Sequence, residues 1–171
     1  MPTESRLERL NDAEPAQAEE LLLACCAARR WANELIARRP YHDLATLRRV
    51  SDAVFAELDW ADIEQALAAH PRIGERAAGA GPEAAWSREE QSAAAGEASA
   101  ARLAEGNAEY ERRHGRVFLI CATGLDAGAV LTALRQRLDN DEETERTVVR
   151  EELRKIANLR LTKLVRPGET A

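Results

Sequence analysis

Only one stretch of this chain, Val117–Cys121, has the density of β-branched and aromatic residues that a strand requires, and no second stretch is suited to pair with it. A lone strand leaves its backbone N–H and C=O groups without a ladder. The chain must therefore be built from helices, with residues 117–121 running among them as an extended apolar strip. Composition agrees: alanine, the strongest helix former, occurs 34 times, against three Trp, two Tyr and two Phe. A hydrophobic content of 45% argues against disorder. The 171 residues suit one domain, long enough to bury roughly two thirds of the surface of the unfolded chain. The expectation is a single compact all-α domain of about seven to eight helices. Residues 1–12 read as a flexible lead-in, 13–166 as the helical body and 167–171 as a C-terminal tail.

Pro15, followed by Glu19, Glu20 and the apolar run Leu21–Ala28, marks a helix start. The helical pattern continues through Trp31, Leu35 and Ile36 until Pro40 stops it. Asp43 is placed to cap the next helix, with Leu44, Leu47, Val54, Phe55 and Leu58 at helical spacing. A short helix near residues 61–69 ends at His70-Pro71. Residues 71–86 hold three glycines and two prolines and form the main irregular stretch. Ser87 is expected to open an Ala-rich helix reaching about Ala104, with Gly106-Asn107 interrupting it before a piece that ends near Gly115. Val130, Leu131, Leu134 and Leu138 mark a further helix, and Asp139-Asn140-Asp141 a turn. The last helix runs from about Glu142 to Val165 and is ended by Pro167-Gly168.

The net charge of -6 argues against a bulk basic surface for nucleic acid. Leu21–Ala28, the longest apolar run, is too short to span a bilayer, and the charged N-terminus lacks the apolar core of a signal peptide. Cys25, Cys26 and Cys121 form no CxxC pair and read as buried reduced thiols of a cytoplasmic protein. His42, His70 and His114 show no ligand spacing, so no metal site is assigned. The GAGP at residues 79–82 lacks the lysine and the strand–loop–helix context of a phosphate loop.

Three positions stand out as chemistry. His70 follows a helix and precedes a proline, which pushes it out of the α region and fixes the direction of its ring. That suits a general acid or base as well as a surface or capping histidine. Glu90 closes a Ser87-Arg88-Glu89-Glu90 sequence that reads locally as a capping box, a role compatible with presenting a carboxylate at a helix N-terminus. Arg160 falls inside the apolar stripe of Val149, Leu153, Ile156 and Leu164. An arginine there must snorkel, pair with an acid, or reach into a cavity where it serves an anionic ligand. The Phe118–Ala122 strip is most simply core, although its backbone groups could also be satisfied by a planar, amide-rich ligand.

His70-Pro71-Arg72-Ile73-Gly74, Ser87 with Glu90-Gln91, Phe118-Leu119-Ile120-Cys121-Ala122-Thr123-Gly124, and Lys155-Ile156 with Leu159-Arg160-Leu161, in this order, resemble the OHCU decarboxylase family. The resemblance runs from about Glu14 to Val165 and includes Arg39-Pro40-Tyr41 and Leu138-Asp139-Asn140-Asp141. It implies a cofactor-free, usually dimeric all-α enzyme that decarboxylates 2-oxo-4-hydroxy-4-carboxy-5-ureidoimidazoline to S-allantoin and carbon dioxide in urate breakdown. By that resemblance His70 is the catalytic histidine, Glu90 its partner carboxylate and Arg160 a substrate-binding cation. Pro71, the segment Ser87, Arg88, Glu89 and Gln91, and the strip Phe118, Leu119, Ile120, Cys121 and Ala122 would line the pocket. A non-catalytic helical interaction module, or a repurposed member of the same fold, is the alternative, separated from the enzyme by whether His70, Glu90 and Arg160 converge.

Overall fold

The computed structural model describes residues 5–72, 82–91 and 97–166, and within residues 82–99 the side chains of Pro82, Glu83, Ala85, Trp86 and Glu89. The described residues are helical and contain no strand. The helices are α1 (Arg6–Asp12), α2 (Pro15–Cys25), α3 (Arg29–Ala37), α4 (Leu44–Glu57), α5 (Trp60–Leu67), α6 (Pro82–Gln91), α7 (Glu97–His114), α8 (Ala127–Leu138) and α9 (Glu142–Val165). Their contacts fall into two compact units, residues 1–69 with 154–171, and residues 70–153. The helix α9 supplies residues to both.

In the first unit the caps follow the sequence. Asp43 accepts from the Thr46 N–H at the start of α4, and Asp59 and Asp62 form a reciprocal capping box on α5. The structure departs from the sequence reading at two places. Residues 6–12, expected as lead-in, form α1, closed by a Ser5–Glu8 capping box and anchored by buried Leu10. The helix expected to run past Cys26 breaks there: Cys26 and Ala28 are extended, and α3 starts anew at Arg29. No Gly or Pro announces this break. It is tertiary: Cys26 and Ala28 are fully buried, and α3 turns Trp31 inward, where its Nε1 donates to Ser51 Oγ at 2.9 Å and its ring lies 6.1 Å from that of Phe55. Leaving the helix for three residues costs a few tenths of a kcal/mol each, whereas burying a large side chain returns about 1.5–3 kcal/mol.

The second unit corrects two more readings. Ser87 does not open a helix: α6 begins five residues earlier, at Pro82, which suits a first-turn position because proline has no N–H to leave unpaired. Ser87 and Glu90 therefore lie in the body and last turn of α6, and they are not the cap and third residue of a capping box. The helix α7 also runs unbroken through Gly106 and Asn107. Here glycine permits a close approach, since a Cβ at Gly106 would sit 3.1 Å from the Leu134 methyls of α8. The positive φ of Gly115 then ends α7, as its sequence position suggested.

Residues 117–122 are neither helix nor strand. Phe118, Ile120 and Ala122 join Leu103, Tyr110, Val130 and Leu134 in the core of this unit. Of the three thiols expected to be buried, Cys25 and Cys26 are, whereas Cys121 is half-buried. Burial pushes the Cys26 thiol up to about 12, so it stays protonated at neutral pH.

Candidate active site

His70 lies three residues beyond the end of α5, half-buried, at the start of the second unit. The segment that carries it is fastened from the next residue but one. Arg72 Nε donates to Glu111 Oε1 at 2.5 Å and Nη2 to Oε2 at 3.2 Å, a two-pronged pair with the last turns of α7. Pro71, also half-buried, stiffens the link between this anchor and the imidazole. Ser87, Arg88, Glu90 and Gln91 have their backbone on α6, and their side chains lie outside the described residues, while Glu89 is exposed. Ile73 and Gly74 also lie outside them.

The strip Phe118–Ala122 is held by side chains in place of a neighbouring strand. Arg137 of α8 donates from Nη1 to the Leu119 carbonyl at 2.5 Å, and Glu152 of α9 accepts from the Cys121 N–H at 2.9 Å. Beneath it lies a buried polar network. Arg137 donates through Nε and Nη2 to Glu145 Oε1, at 2.8 and 2.5 Å; Tyr110 Oη donates to the same oxygen, and Asn140 Nδ2 to Oε2. The Arg137 guanidinium lies 4.6 Å from the Phe118 ring centre, and Tyr110 meets Phe118 edge-on. Burial alone would raise the Glu145 carboxyl, but the hydrogen bonds and charge of Arg137, with those of Tyr110 and Asn140, bring it below its ordinary value.

Arg160 belongs to the first unit. It is 4% exposed, and its Nη1 donates to the Ala24 carbonyl at 3.4 Å, in the last turn of α2 where the helix dipole is negative. Its charge acts against the burial that raises the Cys26 thiol. Thus His70, the α6 segment and the strip share one unit, while Arg160 stands in the other. Among the described residues no group of three His, Cys, Asp or Glu side chains is arranged to hold a metal ion.

Sequence reasoning missed Arg137, Glu145, Glu152 and the Arg72–Glu111 pair. Glu145 was accessible: it precedes Val149 by four residues and so continues the stripe in which Arg160 is anomalous. Arg137 falls three residues after Leu134 on the inward face of α8, and an inward acid and base on consecutive helices invite pairing.

Helices arranged in this order define a fold already solved for a decarboxylase. The chain matches a crystal structure described as OHCU decarboxylase in the presence of (S)-allantoin, with a TM-score of 0.73 and 26% identity, over 86% of this chain and 97% of that one. The model of the family OHCU decarboxylase matches residues 11–162, and the chain belongs to that family. It is 34% identical to the 2-oxo-4-hydroxy-4-carboxy-5-ureidoimidazoline decarboxylase of Amia calva, over 81% of this chain and 79% of that protein. It is also 31% identical to the uric acid degradation bifunctional protein TTL of Arabidopsis thaliana, over 82% of this chain but 45% of that protein, so it spans about half the length of that relative.

Proposed function

We propose that this chain decarboxylates 2-oxo-4-hydroxy-4-carboxy-5-ureidoimidazoline to S-allantoin and carbon dioxide, as a cofactor-independent step of urate breakdown. The observation that carries this reading is the family match over residues 11–162, a span that includes His70, Glu90, Arg160 and the whole apolar strip. The substrate has a ring imine next to the carbon that loses carbon dioxide. The electron pair of the breaking C–C bond passes into that imine, and a proton then returns to the ring from one face. The protein is left with positioning, charge stabilisation and directed proton transfer.

In this reading His70 and Glu90 form a coupled pair that takes the proton of the substrate hydroxyl and holds its carboxylate out of the ring plane. Arg160 balances the negative charge that develops in the ring and ureido groups. Pro71, Ser87, Arg88, Glu89 and Gln91 line the pocket together with the backbone of Phe118–Ala122. The working protein is a cytoplasmic homodimer without nucleic-acid or membrane partners. Among the described residues no helix is long and apolar enough to cross a membrane.

The test is stereochemical. With substrate generated from urate by an oxidase and a hydrolase, the protein is expected to yield allantoin with the circular dichroism of the S form. Racemic product, at the rate of the spontaneous reaction, overturns the reading.

Two variants separate site from scaffold. Glu90 stands in the last turn of α6, where the helix dipole disfavours a carboxylate, so Glu90→Gln is expected to leave the thermal midpoint unchanged or slightly raised. Turnover is expected to fall by about 10²-fold or more, the scale of a lost acid–base group. Arg160→Leu removes a buried cation from an apolar stripe and is expected to hold or raise the midpoint while weakening apparent substrate affinity. If Arg160 only caps α2 through the Ala24 carbonyl, affinity stays at the wild-type value. Midpoint and steady-state kinetics measured on both variants decide.

A further inference from the structure

We propose that Glu152 is a positioning residue for the reaction: its carboxylate holds the Cys121 N–H and thereby sets the orientation in which the apolar strip meets substrate. The inference rests on the functional reading above, in which the strip lines the pocket.

The strip has no strand beside it, so its rotation about its own axis is set by the core packing of Phe118, Ile120 and Ala122 together with whatever binds its backbone groups. Side chains hold two of them, two residues apart, the Leu119 C=O by Arg137 and the Cys121 N–H by Glu152, while the Ala122 C=O accepts from the Leu125 N–H. In an extended chain the N–H and C=O of one residue point to one edge, and those of the next residue to the other. Fastening Leu119 and Cys121 through the same edge therefore turns the Ile120 N–H and C=O to the opposite one. That is a donor beside an acceptor, the pattern that pairs with an amide or ureide.

The two fasteners differ in kind. Arg137 is buried in the Tyr110–Glu145–Asn140 network, and the core depends on it. Glu152 is half-buried on α9, and Cys121 is the least buried residue of the strip. Removing Glu152 releases the Cys121 N–H and loosens the strip there while Phe118, Ile120 and Ala122 stay in the core, so its loss falls on substrate recognition more than on folding. What matters is an acceptor oxygen at the right reach, since the partner is an uncharged amide.

Glu152→Ala, Glu152→Asp and Glu152→Gln, with the wild type, form the test, read as KM, kcat and thermal midpoint on the generated substrate. Alanine removes the acceptor, and aspartate keeps the charge but shortens the reach by one methylene. Glutamine keeps reach and acceptor without charge. The expected result is a KM raised about tenfold in Glu152→Ala and raised in Glu152→Asp, with kcat within about twofold of wild type and the wild-type KM retained in Glu152→Gln. Should the alanine variant not fold, the aspartate and glutamine pair gives the same contrast. A wild-type KM in the alanine or aspartate variant overturns the proposal, as does a glutamine variant with a raised KM. A wild-type protein with no stereospecific turnover overturns the functional reading instead.

Discussion

His70→Asn is expected to leave the thermal midpoint within a degree or two of wild type and to lower turnover by about 10²–10⁴-fold, the range of a lost general acid–base group. The expectation of a sound fold follows from where the residue stands. His70 is half-buried outside any helix, and the segment around it is fixed by Pro71 and by the Arg72–Glu111 pair, so asparagine of similar size and polarity leaves those anchors in place. The loss of turnover follows from the amide, which exchanges no proton near neutral pH. Steady-state assay beside thermal unfolding decides: near-normal turnover in a folded variant returns His70 to the role of a loop histidine.

The second large effect is on stability. Glu145→Ala leaves the Arg137 guanidinium buried without its carboxylate and takes an acceptor from Tyr110 and Asn140. Breaking a buried pair from one side costs about 3–5 kcal/mol. In a chain of this size that lowers the midpoint by roughly 6–20 °C. The double variant Arg137→Met with Glu145→Leu removes both charges and is expected to recover most of the loss. A single variant that loses less than about 1 kcal/mol in denaturant titration contradicts this account of the network. The same carboxylate gives a pH dependence. Because its folded pKa lies below the unfolded value near 4.5, its contribution is complete above that value and is lost as pH falls through the folded one. Glu145→Gln is expected to flatten this acid limb.

Helix content was legible because alanine content and apolar spacing agree along most of the chain, and α9 runs from Glu142 to Val165 as its spacing and the Asp139–Asp141 turn suggest. Residues 117–122 were legible as an element outside any sheet for want of a partner. The break at Cys26–Ala28 was not, because nothing local favours it and burial decides it. Ser87 misled for the opposite reason: S-x-x-E has the composition of a helix start, but Pro82 and its neighbours already start a helix, and a capping pattern inside a helix has no orphan N–H groups to serve. Gly106 misled similarly, its value lying in the approach of Leu134 and not in any turn. Among the candidate site residues, His70 and Arg160 were visible as single anomalies of position. Glu152 was not, because its target is a backbone N–H, and a main-chain partner leaves no mark in side-chain spacing.

The division of contacts has a consequence for synthesis. The first unit joins residues 1–69 to the C-terminal part of α9, so Asp52 waits for Asn158, and the Ala24 carbonyl waits for Arg160, 136 positions later. Residues 70–153 are translated as one run between them and can pack as soon as that run leaves the ribosome. The helices made first are therefore finished last: the Ala24 carbonyl of α2 and the Asp52 carboxylate of α4 gain these partners only when the final helix arrives. Truncation within α9 would thus strike at the N-terminal helices, at the far end of the chain from the cut.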